Sequence, residues 1–267
     1  MPKSLLRRTA LGGLLCLLIA SAPGVAAPPA VATPAEPRSL HVVSDENFPP
    51  YLFRNAEGQV EGYLVDLWQL WATHNQVQLT LTATNWADAQ KMVARGDADV
   101  IDMIYRTPAR EPLYDFSAPY ADLPVAIYTD TSIGGISGVT TLKGFQIGVQ
   151  DGDACIDQLH ANGITTLQKY RNYTDLIAAA QRQEIKVFCL DEGPANFYLY
   201  KAKAQGDFRK AFELYKGQFH RAVRKGNLET LRLVEEGMKA ITADEEAALR
   251  KKWFGAPLHL EIGRAHV

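Results

Sequence analysis

Short strand patterns alternate with helix patterns in the first part of this chain, and this alternation restricts the possible folds more than any other feature. Apolar runs of buried-strand length occur at residues 40–43, 77–83 and 100–104. Between the first two runs, apolar residues recur at i, i+3, i+4 and i+7, as on the buried face of a helix: Leu64, Leu67, Trp68 and Trp71. Strand–helix–strand units with short connections predict a parallel sheet with right-handed crossovers.

The same alternation resumes in the second half of the chain. Strand patterns are found at residues 145–149, 165–170, 187–190 and 219–223, with helix patterns between them. Two final helices are predicted over residues 228–241 and 243–253. A further strand at residues 123–128 joins the two halves. The pattern predicts an α/β protein of two lobes with a cleft between them.

Composition and charge exclude several classes of function. The chain has 267 residues, of which 47% are hydrophobic and 22% are charged, as in an ordinary folded protein. The formal net charge of −2 argues against a nucleic-acid partner and against general binding to a membrane surface.

The amino terminus has the pattern of a targeting segment. Basic residues precede an apolar stretch at residues 11–20, which is too short to span a bilayer but suits a secretory signal peptide. We expect a signal peptide over residues 1–32, with cleavage after Ala26 or Ala32, and a Pro/Ala-rich linker over residues 33–38. The predicted location is the periplasm.

Three cysteines are present, and one of them, Cys16, lies in the predicted signal peptide. Cys155 and Cys189 remain in the mature part, where an oxidising compartment allows them to pair. Because the sequence does not give the distance between their Cα atoms, we expect two separate buried thiols rather than a disulfide.

The strand at residues 100–104 leads into the most informative loop. In open α/β sheets, ligands bind where strands end and loops begin, and Arg110 lies in this loop or at the start of a following helix. A guanidinium offers a planar set of donors that suits a carboxylate. The alternative is a surface arginine paired with Glu111 or Asp115.

Six strings in order resemble the bacterial periplasmic solute-binding proteins of family 3: FPPYLFRNAEGQVEGYLVDLW, ARGDADVI, TPAREPLYDFSAPY, LKGFQIGVQDGD, FHRAVRKGN and KKWFG. The resemblance implies a Venus-flytrap fold of two parallel-rich sheets with flanking helices and two hinge strands. It implies lobe 1 at residues 39–121 and 218–256, lobe 2 at residues 122–217, and a tail at residues 257–267.

The resemblance also implies ligand-binding roles for particular residues. Phe48 and Trp86 match the aromatic residues that enclose the apolar part of a ligand, and Arg110 matches the arginine that binds its carboxylate. Asp191 matches the acid that receives the ligand's amino group, and Asp153 lies at a small polar position of lobe 2. Phe48 and Trp86 have an alternative interpretation as core aromatics.

Two residues depart from the family pattern. Amino-acid receptors usually have small hydroxyl residues where this chain has Asp102 and Tyr105. An acid at Asp102 would neutralise Arg110, and Tyr105 would shrink the pocket. The departures favour a small or cationic ligand, or a domain that signals with its cleft already closed. Asp102 has the alternative role of a strand-end acid held by backbone N–H groups.

Three functions from different classes follow. The strings and the Trp-rich first helix most resemble the periplasmic sensor domains of membrane signalling proteins, which predicts a small-molecule ligand and a transmembrane or signalling module as partners. The final heptapeptide EIGRAHV matches one reading frame of a common sequencing-library adapter, so we interpret it as non-native and the chain as a truncated sensor. The alternatives are a free receptor for an importer, with a membrane permease as partner, and a periplasmic cyclohexadienyl or arogenate dehydratase.

We expect no enzyme activity, no cofactor and no metal site. The sequence has no zinc-type His/Cys spacing, no phosphate-binding glycine loop and no nucleophile elbow. Its histidines at positions 74, 160 and 220 are isolated.

Overall fold

The computed structural model describes residues 38–255. The predicted signal peptide, Cys16, residues 33–37 of the linker and the tail lie outside the described residues. The strands are β1 (Ser39–Asp45), β2 (Asn47–Phe48), β3 (Leu52–Arg54), β4 (Val60–Glu61), β5 (Gln78–Thr84), β6 (Val100–Tyr105), β7 (Tyr114–Phe116), β8 (Ala121–Asp130), β9 (Ile147–Gln150), β10 (Leu167–Tyr170), β11 (Val187–Asp191) and β12 (Phe208–Arg224). The α-helices are α1 (Tyr63–Asn75), α2 (Trp86–Arg95), α3 (Ala154–Ala161), α4 (Tyr173–Gln181), α5 (Glu192–Lys201), α6 (Leu228–Met238) and α7 (Ala243–Phe254).

Two groups of parallel strands form the two ends of one large sheet. The strand order is β10-β9-β11-β8-β12-β6-β1-β5, and β7 pairs with β12 at the side. We call β6, β1 and β5 the first strand group and β10, β9 and β11 the second strand group; each is parallel within itself. The long antiparallel strands β8 and β12 join the groups. The expected α/β architecture with two hinge strands is therefore confirmed, and the hinge strands unite the two predicted sheets.

Strand β12 is much longer than the sequence pattern indicates. The prediction of a strand at residues 219–223 is wrong in extent, because β12 has 17 residues and begins at Phe208. Its pairing with β8 shifts register twice, between Lys210 and Phe212 and between Glu213 and Tyr215. Each shift interrupts the alternation of buried and exposed side chains on which sequence periodicity depends.

Helix α1 packs as its apolar spacing predicts. Leu64, Trp68 and Trp71 are completely buried, and burial of each such side chain stabilises the fold by about 2–3 kcal/mol. The indole Nε1 of Trp71 donates a hydrogen bond of 3.2 Å to the carbonyl of Val234, which ties α1 to α6. The helix ends at Gln76, whose backbone is left-handed with φ of 53°.

The lobe boundaries at residues 121/122 and 217/218 stay predictions. The first falls at the start of β8 and the second falls inside β12. Within residues 38–255, no helix has the length and apolar character needed to cross a bilayer.

Candidate functional site

A small cavity lies where the carboxyl ends of strands from both groups meet. Its volume is about 20 Å³, which is room for about one water molecule. The first strand group and its loops contribute Asp45, Phe48, Trp86, Met103, Tyr105 and Arg110, and β12 contributes Phe219. The second strand group and its helices contribute Gln150, Asp153, Ala154, Tyr173 and Asp191. Six of the seven residues singled out from the sequence therefore meet here, and Asp102 does not.

Arg110 is bonded to main-chain carbonyls on both sides of the cavity. It lies in the turn between β6 and β7, with no helix at this position, and it is 5% exposed. Its Nη1 donates to the carbonyl of Tyr105 at 2.8 Å, and its Nη2 donates to the carbonyl of Gly152 at 2.7 Å. Burial lowers the pKa of Arg110 from its ordinary value, an effect that the nearby Asp153 opposes. The alternative, a surface pair with Glu111 or Asp115, is absent among the described ion pairs, since these acids pair with Arg106 and Lys225.

The carbonyl of Gly152 collects three side-chain donors. Besides Arg110, it accepts from Trp86 Nε1 at 2.9 Å and from Gln90 Nε2 at 3.0 Å. Gly152 follows β9 with φ of +77°, a conformation that favours glycine, and a Cβ there would lie 2.5 Å from Gln90 Nε2. The donors come from the first strand group's side of the cavity and the acceptor from the second, so these bonds hold the two sides together.

Asp191 is the most buried acid of the cavity wall, at 2% exposure. It ends β11, and its carboxylate accepts hydrogen bonds from the hydroxyl of Tyr105 and, at 2.7 Å, from the hydroxyl of Tyr173. Burial raises the pKa of Asp191 to about 7, and the neighbouring charge of Asp153 adds to the rise. The bond from Tyr105 crosses the cavity.

Asp153 starts helix α3 as its N-cap. Its Oδ1 accepts from the backbone N–H of Cys155 at 2.7 Å, and its Oδ2 accepts from the hydroxyl of Tyr173 at 3.1 Å. Burial raises the pKa of Asp153 above its ordinary value. The hydroxyl of Tyr173 thus lies between the carboxylates of Asp153 and Asp191.

A disulfide joins the two elements that carry these acids. Cys155 in α3 and Cys189 in β11 are bonded, with their Cα atoms 6.6 Å apart. The expectation of two separate thiols is therefore wrong: the parallel pairing of β9 with β11 brings α3 beside β11, a proximity that spacing along the chain does not reveal.

Asp45 and Gln150 are site residues that sequence reasoning missed. They end the first strands of the two groups, and Gln150 Nε2 donates to Asp45 Oδ2 at 2.8 Å across the cavity. Burial raises the pKa of Asp45 to about 6, although hydrogen bonds from Gln150 and Asn47 oppose the rise. Their position directly after strand patterns was the available signal. Tyr173, Met103, Ala154 and Phe219 were also missed.

Phe48 and Trp86 line the cavity and are also part of the packed interior. Phe48 is 5% exposed, with its ring centroid 5.1 Å from that of Phe219 and 6.3 Å from that of Tyr173. Trp86 begins α2, is 6% exposed and lies 5.5 Å from the guanidinium carbon of Arg110. The two rings therefore have positions that suit both interpretations made from the sequence, because they line the cavity and also belong to the core.

Asp102 lies outside the cavity, where it is completely buried in a polar network. Its Oδ1 accepts from the backbone N–H of Met103 and from the hydroxyl of Tyr120, each at 2.7 Å. Its Oδ2 accepts from Trp68 Nε1 at 2.7 Å and lies 3.5 Å from Nε of Arg221. The cationic partner of Asp102 is Arg221. This geometry therefore does not support the expectation that Asp102 neutralises Arg110.

A β-bulge lies at Asp102 and Met103. The register between β6 and β12 shifts between His220 and Ala222, and Met103 has a left-handed backbone with φ of 61°. Met103 and Tyr105 line the cavity, whereas Asp102 does not.

The described residues 38–255 contain no group of three or more His, Cys, Asp or Glu side chains placed to hold a metal ion.

The fold and the cavity between two strand groups define a solute-binding protein of the Venus-flytrap class. Residues 40–256 match the family described as bacterial extracellular solute-binding proteins, family 3. The chain therefore belongs to that family.

Relatives and solved structures agree with this assignment. The chain is 29% identical over 231 residues to the L-cystine-binding protein TcyJ of Escherichia coli (strain K12), covering 82% of this chain and 83% of the relative. The crystal structure of a histidine kinase sensor domain similar to periplasmic binding proteins superposes with a TM-score of 0.75 at 20% identity, covering 82% and 97% of the two chains. An ancestral arginine-binding protein bound to arginine superposes with a TM-score of 0.72 at 23% identity, covering 81% and 98%.

Proposed function

We propose that this chain is a periplasmic sensory domain whose cleft rests closed and responds to a compact solute with an ammonium group, such as an amino acid. The observation that carries the proposal is the set of hydrogen bonds that run directly between the two sides of the cleft. They run from Tyr105 to Asp191, from Gln150 to Asp45, from Thr107 to Asp157, and from Trp86, Gln90 and Arg110 to Gly152.

The charges at the cavity favour a cationic group. Two buried acids, Asp45 and Asp191, and the half-buried Asp153 line the cavity with one buried arginine, Arg110. Two donors of Arg110 are already bonded to carbonyls. Buried carboxylates gain most from a cationic partner, which lowers the free energy of their charged form. An ammonium group fits this requirement, and a carboxylate on the same solute would have Arg110 as its partner.

The sensory role is supported by the same closed cleft. A free receptor needs a site that opens to take up solute and closes around it. Here the protein's own groups form hydrogen bonds with the residues expected to bind solute, which supports a resting state that is closed. A solute then acts by changing the balance between the closed state and other states, which requires different affinities for them. The similarity to a histidine kinase sensor domain agrees with this role.

Small-angle scattering of the purified chain distinguishes the two roles. A sensory domain that rests closed is expected to have its smallest radius of gyration without solute. A decrease in the radius of gyration when L-arginine, L-cystine or putrescine is added at saturation would contradict this and identify an importer receptor.

The Arg110→Ala variant tests the carboxylate role in the same experiment. This variant is expected to lose binding of amino acids while keeping binding of putrescine.

The lobe boundaries belong to this proposal. We assign residues 39–121 and 218–256 to lobe 1 and residues 122–217 to lobe 2. The partner is then a transmembrane signalling module for a sensor, or a membrane permease for a receptor.

One observation favours a dehydratase as a second candidate. A carboxyl with a pKa of about 7, as at Asp191, is suited to act as a general acid near neutral pH. Turnover of prephenate or arogenate by the chain would establish this activity. We expect none, because the two hydroxyls bonded to Asp191 engage the carboxyl group that would have to protonate the leaving group.

A further inference from the structure

Tyr105 fills the part of the site where a solute is expected. It ends β6, and its side chain is 7% exposed. Its ring stacks on Phe219 at a centroid distance of 5.1 Å, and Tyr215 packs edge-on at 6.2 Å. From this position its hydroxyl donates to Asp191 across the cavity.

Tyr105 lines two spaces of very different size. One is the cavity of about 20 Å³. The other is an open groove of about 420 Å³, which Tyr105 lines together with Arg106, Tyr215 and Gly217. Solute sites in proteins commonly have volumes of about 300–1,000 Å³. Withdrawal of the ring would join the cavity to the groove and create a space in this range.

Gly217 makes the position of the ring possible. A Cβ at this position of β12 would lie 2.5 Å from Cζ of Tyr105 and within 2.8 Å of two further ring carbons. A residue with a side chain at 217 therefore excludes the observed position of Tyr105. The two residues are sterically matched although they lie on different strands.

The side chains that donate to the carboxylate of Asp191 are hydroxyls. Among the described ion pairs none includes Asp191, and its hydrogen-bond donors are Tyr105 and Tyr173. A hydroxyl offsets part of the free-energy cost of burying a carboxylate, whereas an ammonium group would also neutralise the charge of the carboxylate. The hydroxyl of Tyr105 therefore competes for the same oxygen as a solute ammonium.

We infer that Tyr105 is an internal occupant of the solute site, and that a solute with a primary ammonium group binds by displacing the Tyr105 hydroxyl from Asp191 and its ring from the space beside Gly217. This inference rests on the proposed function and names the residue that determines its specificity. Tyr105 makes the affinity of the native protein for such solutes low, and it excludes solutes without an ammonium group.

Isothermal titration calorimetry of the whole chain tests this inference with putrescine and L-arginine as probes and glutarate as a probe without an ammonium group. Tyr105→Ala removes the side chain that fills the site, and Gly217→Ala displaces the ring of Tyr105 without altering the chemistry of that side chain. Both variants are expected to bind putrescine or L-arginine about tenfold to 100-fold more tightly than the native chain, because the solute no longer displaces a hydrogen bond to a charged group. Asp191→Asn in the Tyr105→Ala background is expected to abolish the gain.

The controls separate the inference from the proposed function. Tyr200→Ala removes a tyrosine of α5 that is 74% exposed, and its affinities should equal those of the native chain. Near-ultraviolet circular dichroism establishes folding, and Gly217→Ala provides the test if Tyr105→Ala does not fold. Equal affinities of the native chain and both variants would overturn the role of Tyr105 but leave solute binding in place. No binding of any probe by any folded variant would overturn the proposed function, and the inference with it.

Discussion

The Nη2 atom of Arg110 lies 2.7 Å from the carbonyl oxygen of Gly152, so the arginine expected to bind a solute carboxylate instead bonds the opposite side of its own cleft. A main-chain carbonyl therefore accepts from the guanidinium at this point. At Asp191, likewise, the carboxylate accepts from the hydroxyl of Tyr105. Both bonds run between the two sides of the cleft.

Arg110→Ala is expected to destabilise the closed protein. The substitution removes two charge-assisted hydrogen bonds, and bonds to charged groups contribute about 1.5–3 kcal/mol each. Loss of the desolvation cost of the guanidinium offsets part of this, so we expect a net loss of about 2 kcal/mol. For a protein of this size the melting temperature should fall by about 4–8 °C in differential scanning calorimetry.

Arg106→Ala is the matched control for this prediction. Arg106 lies in the same turn and pairs with Glu111 at 2.8 Å, but its side chain is 58% exposed. Its removal should change the free energy of unfolding by no more than about 0.5 kcal/mol. Equal melting temperatures of the two variants would contradict a structural role for Arg110.

The disulfide between Cys155 and Cys189 is expected to contribute substantially to stability. The cysteines are 34 residues apart, and a cross-link of this kind typically stabilises a protein by about 2–4 kcal/mol. Dithiothreitol should therefore lower the melting temperature of the native chain by roughly 5–15 °C. The same treatment should leave the double variant Cys155→Ser, Cys189→Ser unchanged. A native melting temperature insensitive to reduction would show that the bond contributes nothing.

Stability should fall as the pH rises from 5 to 8. Burial raises the pKa of Asp191 to about 7 and that of Asp45 to about 6, against an ordinary value of 3.8. An acid whose pKa is higher in the folded protein binds its proton more tightly when folded. The contribution of such an acid to the free energy of unfolding is therefore complete below the pKa that it has in the unfolded chain. This contribution is lost as the pH rises through the pKa that it has in the folded protein. Urea denaturation should show a decrease of about 2–4 kcal/mol in the free energy of unfolding between pH 5 and pH 8.

Asp191→Asn isolates the larger of these two contributions. An asparagine carries no titrating proton but keeps an oxygen that accepts from Tyr105 or Tyr173. The difference in stability between pH 5 and pH 8 should shrink in this variant. A variant with the full native pH dependence would show that Asp191 does not titrate in this range.

Asp102→Ala is expected to be among the most destabilising single changes in this chain. It leaves the donors of Trp68, Tyr120 and Met103 without their acceptor and leaves Arg221 as a buried charge without its partner. Removing one member of a buried ion pair costs about 3–5 kcal/mol. Chemical denaturation should show this loss, whereas Asp97→Ala at an exposed site should stay within about 0.5 kcal/mol of the native chain. A loss at Asp102 as small as at Asp97 would contradict the network.

The sequence placed residues at the cavity where strand ends carry the signal. Asp191 directly follows a strand pattern, and Arg110 and Asp153 lie in the segments after two others, where the parallel strand groups bring such residues to one edge. Asp102 lies inside β6 and does not line the cavity. The β-bulge beside it, at Met103, leaves no mark in hydrophobic periodicity.

The sequence by itself determined the alternation of strands and helices, the assignment to a solute-binding family and half of the residues that line the cavity. These depend on local spacing and on motifs, which are readable along the chain. Only the tertiary structure decided that Cys155 pairs with Cys189, that Gly152 receives Arg110, and that Tyr105 reaches Asp191. Each of these relationships joins residues far apart in the chain, and their distances depend on strand pairing and cleft closure, which no local pattern encodes.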